Sequence, residues 1–111
     1  MATPGDISQI KFFSNSDSDD GDYTTTVAGV TGKKIRVLSL VATALTTAGV
    51  FSLKSATTVI FAQHLALGVP LVVVGTEQAP VCETASGAAL IPSNAAGVDS
   101  FCNVTYVEVE P

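Results

Sequence analysis

The stretch Lys33 to Leu45, Lys-Lys-Ile-Arg-Val-Leu-Ser-Leu-Val-Ala-Thr-Ala-Leu, constrains the fold more than any other part of the chain. It holds no Gly or Pro, and its β-branched and aliphatic residues suit a pleated, packed surface, so it predicts a central β-strand. Alternate side chains of a strand point to opposite faces. In an unbroken strand Ile35, Val37, Val41 and Leu45 share one face, and Leu38, Leu40, Ala42 and Ala44 share the other. An antiparallel strand with one wet face alternates apolar and polar residues, whereas a strand apolar on both sides is covered on both sides. Two covers fit this pattern: a second subunit, or a sandwich partner sheet on one face with a loop across the other.

The chain around this strand is a series of short apolar runs divided by turn residues, without a sustained period of 3.6. The strands expected are 23–28, 33–45, 50–54, 57–62, a short 64–67, 71–75, 81–83, 88–91 and 101–110. Gly29-Val-Thr-Gly32, Thr46-Thr-Ala-Gly49, Gly68-Val-Pro70 and Pro92-Ser-Asn-Ala-Ala-Gly97 are among the connections. Turn signals about eight to twelve residues apart predict an all-β sandwich or barrel. In the last strand the apolar set changes face between Tyr106 and Val107, which predicts a bulge or a passage from core to subunit contact. With the second apolar face of the central strand, this nominates Ile35, Val37, Leu38, Leu40, Val107 and Val109 for contact between subunits.

A chain of 111 residues with 47% apolar and 14% charged residues suits one domain with a real core. Its net charge of −5 is uneven. Residues 1–22 hold Asp6, Asp17, Asp19, Asp20 and Asp22 against Lys11, a net of −4, which leaves −1 for residues 23–111. We therefore read residues 1–22 as an acidic arm and 23–111 as the β-sandwich domain. The arm carries one apolar patch, Ile7, Ile10, Phe12 and Phe13, expected to dock on the domain, a neighbouring subunit or a partner. The largest basic cluster is Lys33, Lys34 and Arg36, so nucleic acid is not expected as a partner. Polar interruptions in Ile35 to Leu53 argue against a spanning helix, and Met-Ala-Thr-Pro-Gly-Asp lacks the features of a secretory signal. No membrane partner is expected.

The residues for chemistry are sparse. Cys82 and Cys102 with His64 are too few ligands for a structural zinc site; buried free thiols are expected of a chain made in a reducing cytoplasm, with a disulfide between the two as the alternative. His64 is the sole histidine, and no Gly-x-Ser-x-Gly elbow is present. Gly29-Val-Thr-Gly-Lys-Lys34 lacks the earlier Gly and the final Ser or Thr of a phosphate loop. The run from Asn15 offers oxygens at Asn15, Asp17 and Asp19, but Asp20 and Thr26 stand where a calcium loop needs Gly and Glu. It reads as a solvated acidic loop. Asn103-Val-Thr105 fits the glycosylation pattern but falls inside an expected strand. The expectation is no enzyme and no cofactor.

Several segments together resemble a family. Gly32-Lys-Lys-Ile-Arg-Val-Leu-Ser-Leu40, Phe51-Ser-Leu-Lys54, Thr57-Thr-Val-Ile-Phe61, Leu71-Val-Val-Val74, Glu83-Thr-Ala-Ser-Gly-Ala-Ala-Leu90 and Asn103-Val-Thr-Tyr-Val-Glu-Val109 are similar to the small jelly-roll virion proteins of tailed bacteriophages. The best known of these are head-decoration, or cement, proteins. The resemblance implies an antiparallel, jelly-roll-like β-sandwich and a homotrimer. It also implies a place on the outer capsid surface, where the trimer binds the major capsid protein and stabilises the shell, after synthesis in the host cytoplasm. Ile7, Ile10, Phe12 and Phe13 are then expected to touch the capsid or a neighbouring subunit. Two departures stand out: Gln78-Ala-Pro-Val-Cys82 is shorter than the matching loop, and the acidic arm is not part of the pattern. The other function considered is a tail- or fibre-associated adhesion module for a host-surface glycan, for which two Tyr and no Trp offer little stacking surface.

Overall fold

The computed structural model describes residues 10–17 and 21–110, and every regular element in them is a β-strand. The strands are β1 (Lys11–Asp17), β2 (Gly21–Asp22), β3 (Lys34–Ala44), β4 (Gly49–Ser55), β5 (Thr58–Leu65), β6 (Leu71–Val74), β7 (Cys82–Glu83), β8 (Leu90–Asn94) and β9 (Ser100–Val109). They form two antiparallel sheets. One has the order β1-β9-β3-β6, with β7 also paired to β3; the other has the order β2-β8-β4-β5. With β6 and β7 counted as one interrupted edge strand, the sequential pairs nest: β4 with β5, β3 with β6 and β7, β2 with β8, and β1 with β9. A long hairpin rolled up in this way gives a jelly-roll-like sandwich.

The central strand forms as expected, but its faces do not. Val37 pairs with Tyr106 and Ser39 with Thr105, so Leu38 is an extra residue without a partner in β9. Such a β-bulge turns the side chains beyond it through half a period. Ile35 and Val37 before the bulge, and Leu40, Ala42 and Ala44 after it, therefore share one buried inner face. The second apolar face read from strict alternation does not exist. Beyond the bulge the other side of β3 carries Ser39, Val41 and Thr43, all half-buried.

The bulge also shapes the adjacent edge. Val81 N–H donates to Val37 O (2.9 Å) and Gly75 N–H donates to Leu38 O (2.7 Å). Two consecutive carbonyls thus face the same edge and are satisfied by the two ends of the excursion between β6 and β7. Thr76 N–H to Ala79 O (2.9 Å) and Ala79 N–H to Thr76 Oγ1 (3.0 Å) close that excursion. A Cβ on Gly75 would lie 2.6 Å from Ala79 O, so the turn requires glycine.

The inner face of the first sheet packs on Phe51, Leu53, Leu65 and Leu90 of the second. Tyr23 stands edge-on to Phe51, with ring centroids 6.3 Å apart. Ser100 Oγ donates to Asn94 Oδ1 (2.6 Å), which leaves Tyr23 Oη to donate to Ser100 Oγ (2.6 Å). This buried chain ties β9 to β8 across the sandwich and satisfies polar groups that would otherwise destabilise the core.

The structure changes four other expectations. Residues 11–17, read as part of the arm, are a strand paired to β9 along its whole length, with Phe13 against the core and Phe12 outward. Among the described residues the first strand of the sandwich is therefore β1. Of the strand expected over 23–28 only a bridge from Val27 to Leu90 forms, and the two-residue β2 precedes it. Tyr23 N–H still donates to Pro92 O (2.8 Å), but proline has no N–H to return, so the ladder stops there. Pro92, Ser93 and Asn94, read as a turn, belong to β8. The expected strands 57–62 and 64–67 run together as β5.

The bulge yields a clear expectation. Leu38→Ala removes a half-buried side chain, keeps the register, and should cost about 1 kcal/mol in urea-induced unfolding. Deletion of Leu38 shifts half of β3 by one residue, turning Leu40, Ala42 and Ala44 off the core, and should abolish cooperative unfolding.

Candidate functional site

The outer face of the five-stranded sheet is the most distinctive surface among the described residues. Register places its outward residues in rows across the strands. Phe12, Thr105, Ser39 and Val74 form one row; Ser14, Asn103, Val41 and Val72 form the next; Ser16, Phe101 and Thr43 form the third. None of these residues is charged. The large apolar side chains lie toward its margins, with Phe12 77% and Val74 75% exposed, while small hydroxyl and amide groups fill much of the middle.

Charge begins at one end of this face, where it is internally paired. Arg36 Nε donates to Glu83 Oε2 (2.7 Å), Lys34 Nζ lies 3.4 Å from Glu83 Oε1, and an Arg36 terminal nitrogen donates to Glu77 O (2.9 Å). The Arg36 guanidinium, helped by Lys34, holds the Glu83 carboxyl below the usual carboxylate range. Arg36, Glu77, Gln78, Pro80, Cys82 and Glu83 line an open cleft beside the excursion. Asp99 clamps the turn after β3: its carboxylate accepts from Thr46 Oγ1 (2.6 Å) and from the Thr46 and Thr47 amides. The Thr46 hydroxyl, followed by these amides, holds Asp99 below its ordinary value.

The residues nominated for subunit contact are divided by the fold. Ile35, Val37, Leu40 and Val107 are buried within the protomer, whereas Leu38 and Val109 are half-buried. Tyr106 faces the core opposite Val37, and Val107 pairs with Arg36, so the change of face read in β9 is real. The extra residue that accommodates it lies across the ladder in β3. Of the apolar patch read in the arm, Phe12 is exposed on the uncharged face, Phe13 packs inward, Ile10 is half-buried, and Ile7 lies outside the described residues. Val72, Val74 and Phe101 belong to this surface although sequence reasoning did not nominate them. Leu71-Val-Val-Val74 reads as a fully buried strand, and only its position at a sheet edge reveals that alternate valines face outward.

Among the described residues no group of three or more His, Cys, Asp or Glu is placed to hold a metal ion, and His64 lies exposed on β5. No helix there is long and apolar enough to cross a membrane. Cys82 and Cys102 are free thiols; Cys102 is buried, whereas Cys82, expected to be buried, is only half-buried. Burial pushes Cys82 up to about 12 and Cys102 up to about 11, which removes the thiolate that nucleophilic chemistry needs. The chain matches no family model, no curated protein and no solved structure. Its fold defines a class, an antiparallel jelly-roll-like β-sandwich.

Two measurements test this description. In native protein at pH 8 the buried Cys102 thiol should react with a chromogenic disulfide far more slowly than in urea, and its fast native labelling would contradict this placement. Glu83 and Asp99 have folded values below their unfolded ones, so their stabilisation is complete above about pH 4.5 and is lost as pH falls through the folded values. The thermal midpoint should fall with acidification below that point, and less steeply in Glu83→Gln and Asp99→Asn.

Proposed function

We propose that this protein is a structural virion component, a non-catalytic decoration protein that binds the outside of a tailed-phage head as a homotrimer and stabilises the shell. The observation that carries this reading is the uncharged outer face, with Phe12 on its margin. Covering such a face strands no charge away from water, and its neutral hydroxyl and amide groups are cheaper to desolvate than ions. A jelly-roll-like sandwich, an architecture recurrent in viral capsid proteins, supports the same reading, as does the sparse set of groups for acid–base chemistry.

The mechanism requires only differential binding. A protein that binds the assembled shell better than dissociated capsomers shifts the equilibrium toward the shell. Three linked protomers offer three contacts, and after the first forms, the others form at high effective concentration. A weak contact per protomer then becomes a durable one for the trimer.

The test is co-sedimentation with purified heads of the encoding phage, together with the temperature at which those heads release DNA. The protein should pellet with intact heads, remain in the supernatant with dissociated capsid protein, and raise the release temperature. Phe12→Asp, at an exposed site, should keep the native mass and thermal midpoint of the free protein but weaken pelleting at least tenfold. Absence of pelleting, with binding on a glycan array instead, would move the protein to the adhesion class.

A further inference from the structure

Among the described residues the two sheets leave four edge strands unpaired, and three of them carry features that discourage pairing with another chain. β1 begins with Lys11, which pairs with Glu108 (2.7 Å). β2 has only two residues and carries Asp22. β5 is bulged near Ile60, between the pairs Leu53 with Phe61 and Lys54 with Val59, and presents exposed Gln63 and His64. Charges, shortness and bulges are the usual protections of an open edge.

The fourth edge, β6, lacks charge and bulge. Leu67 is bridged to Ala44 and Leu71 pairs with Ala42, so the chain from Leu67 to Val74 follows one side of β3. Residues 65–76 contain no charged side chain. Gly75 N–H points to Leu38, so by alternation Val73 and Leu71 turn their backbone groups toward β3, and Val72 and Val74 turn theirs away from the sheet. Exposures of 51% at Leu67, 60% at Val69 and Val72, and 75% at Val74 leave on the order of 400 Å² of apolar side chain along this side.

We infer that β6 is the self-association edge of this protein, and that its occupant is a second copy of the same chain. An unpaired strand edge fits another such edge, and each copy that leaves β6 open supplies one. Charge favours the same occupant. Copies with a net charge of −5 repel one another, and this uncharged margin is where they can meet without burying like charges. The apolar area is about half of the ~800 Å² per partner in a standard interface, so backbone pairing must supplement it and the association should weaken on dilution. Two β6 edges paired with each other close a two-fold dimer, so this contact is distinct from the three-fold contact of the proposed function and does not depend on capsid binding.

The test is the native mass of the full chain by light scattering over about a hundredfold dilution, for wild type and for Val72→Lys/Val74→Lys. Wild type should exceed 11.3 kDa at high concentration and fall on dilution, while the double variant stays at 11.3 kDa with an unchanged thermal midpoint. A wild-type mass of 11.3 kDa throughout, or a double variant that still associates, overturns the inference. Should the variant fail to fold, hydrogen exchange of wild type decides. Val72 and Val74 amides should exchange slowly when concentrated and quickly when dilute, and fast exchange under both conditions overturns the edge assignment. A dimer that does not pellet with heads would refute the proposed function and leave β6 standing; a capsid-binding trimer unaffected by the lysines would do the reverse.

Discussion

A single inserted residue, Leu38, sets the arrangement on which the rest of the sandwich depends. Without it, Ile35 and Val37 would face one way and Leu40, Ala42 and Ala44 the other, and neither sheet face would form a continuous core. With it, all five lie on the inner face. The same insertion turns the Val37 and Leu38 carbonyls to one edge, where each would destabilise the fold if unpaired. Their donors, Val81 and Gly75, are the two ends of the excursion, so this loop is where a single edge strand is divided into β6 and β7. The excursion in turn brings the Glu77 carbonyl to Arg36, which also holds Glu83.

The outer face follows from the same constraint. Once the apolar residues on both sides of the bulge are gathered inward, what remains outward beyond it on β3 is Ser39, Val41 and Thr43. β9 contributes Phe101, Asn103 and Thr105 on the same side. Of these, Ser39, Thr43, Asn103 and Thr105 can hydrogen-bond to water, and none of the six is charged, so covering the face costs less than covering ions would. In this sheet charged residues gather instead in pairs toward its ends, Lys34 and Arg36 with Glu83, and Lys11 with Glu108. Such partly exposed pairs contribute little stability. Their effect is to leave the middle of the sheet neutral.

Much of the strand layout was legible because the apolar runs are short and Gly-, Pro- and Thr-rich turns divide them. The faces were misread because strict alternation was assumed along β3. The correction was nevertheless present in the sequence, since β9 shows a change of phase at Tyr106 and Val107, and the register sets Tyr106 directly opposite Val37. Two strands with phase changes of their own, once paired, are explained by a single bulge between them. Nothing local marks Lys11–Asp17 as a strand: its polar residues resemble the acidic run that follows, and only pairing with β9 orders it. The exposed valines of β6 were equally hidden, because a run of four apolar residues looks the same at a sheet edge and at its centre.

The nested topology explains why β1 is the least recognisable strand. The β4–β5 hairpin closes through a two-residue turn, but β1 and β9 must meet across nearly the whole chain. Closure entropy grows only slowly with length, about 0.6 kcal/mol per doubling, so distance alone does not weaken the outermost pair much. The larger difference is in burial. β3 contributes Ile35, Val37, Leu40, Ala42 and Ala44 to the core, whereas β1 packs Phe13 against it and leaves Phe12 in solvent. Hydrophobic gain per residue is therefore smallest where the ordering cost is still paid in full, since fixing each residue's backbone costs about 1–2 kcal/mol wherever it lies. β1 is held mainly by its ladder to β9 and by one phenylalanine. The strand that presents Phe12 to the uncharged face is thus held by the core far less than β3 is, and a partner that covers Phe12 would add to the anchoring of β1 as well as to its own binding.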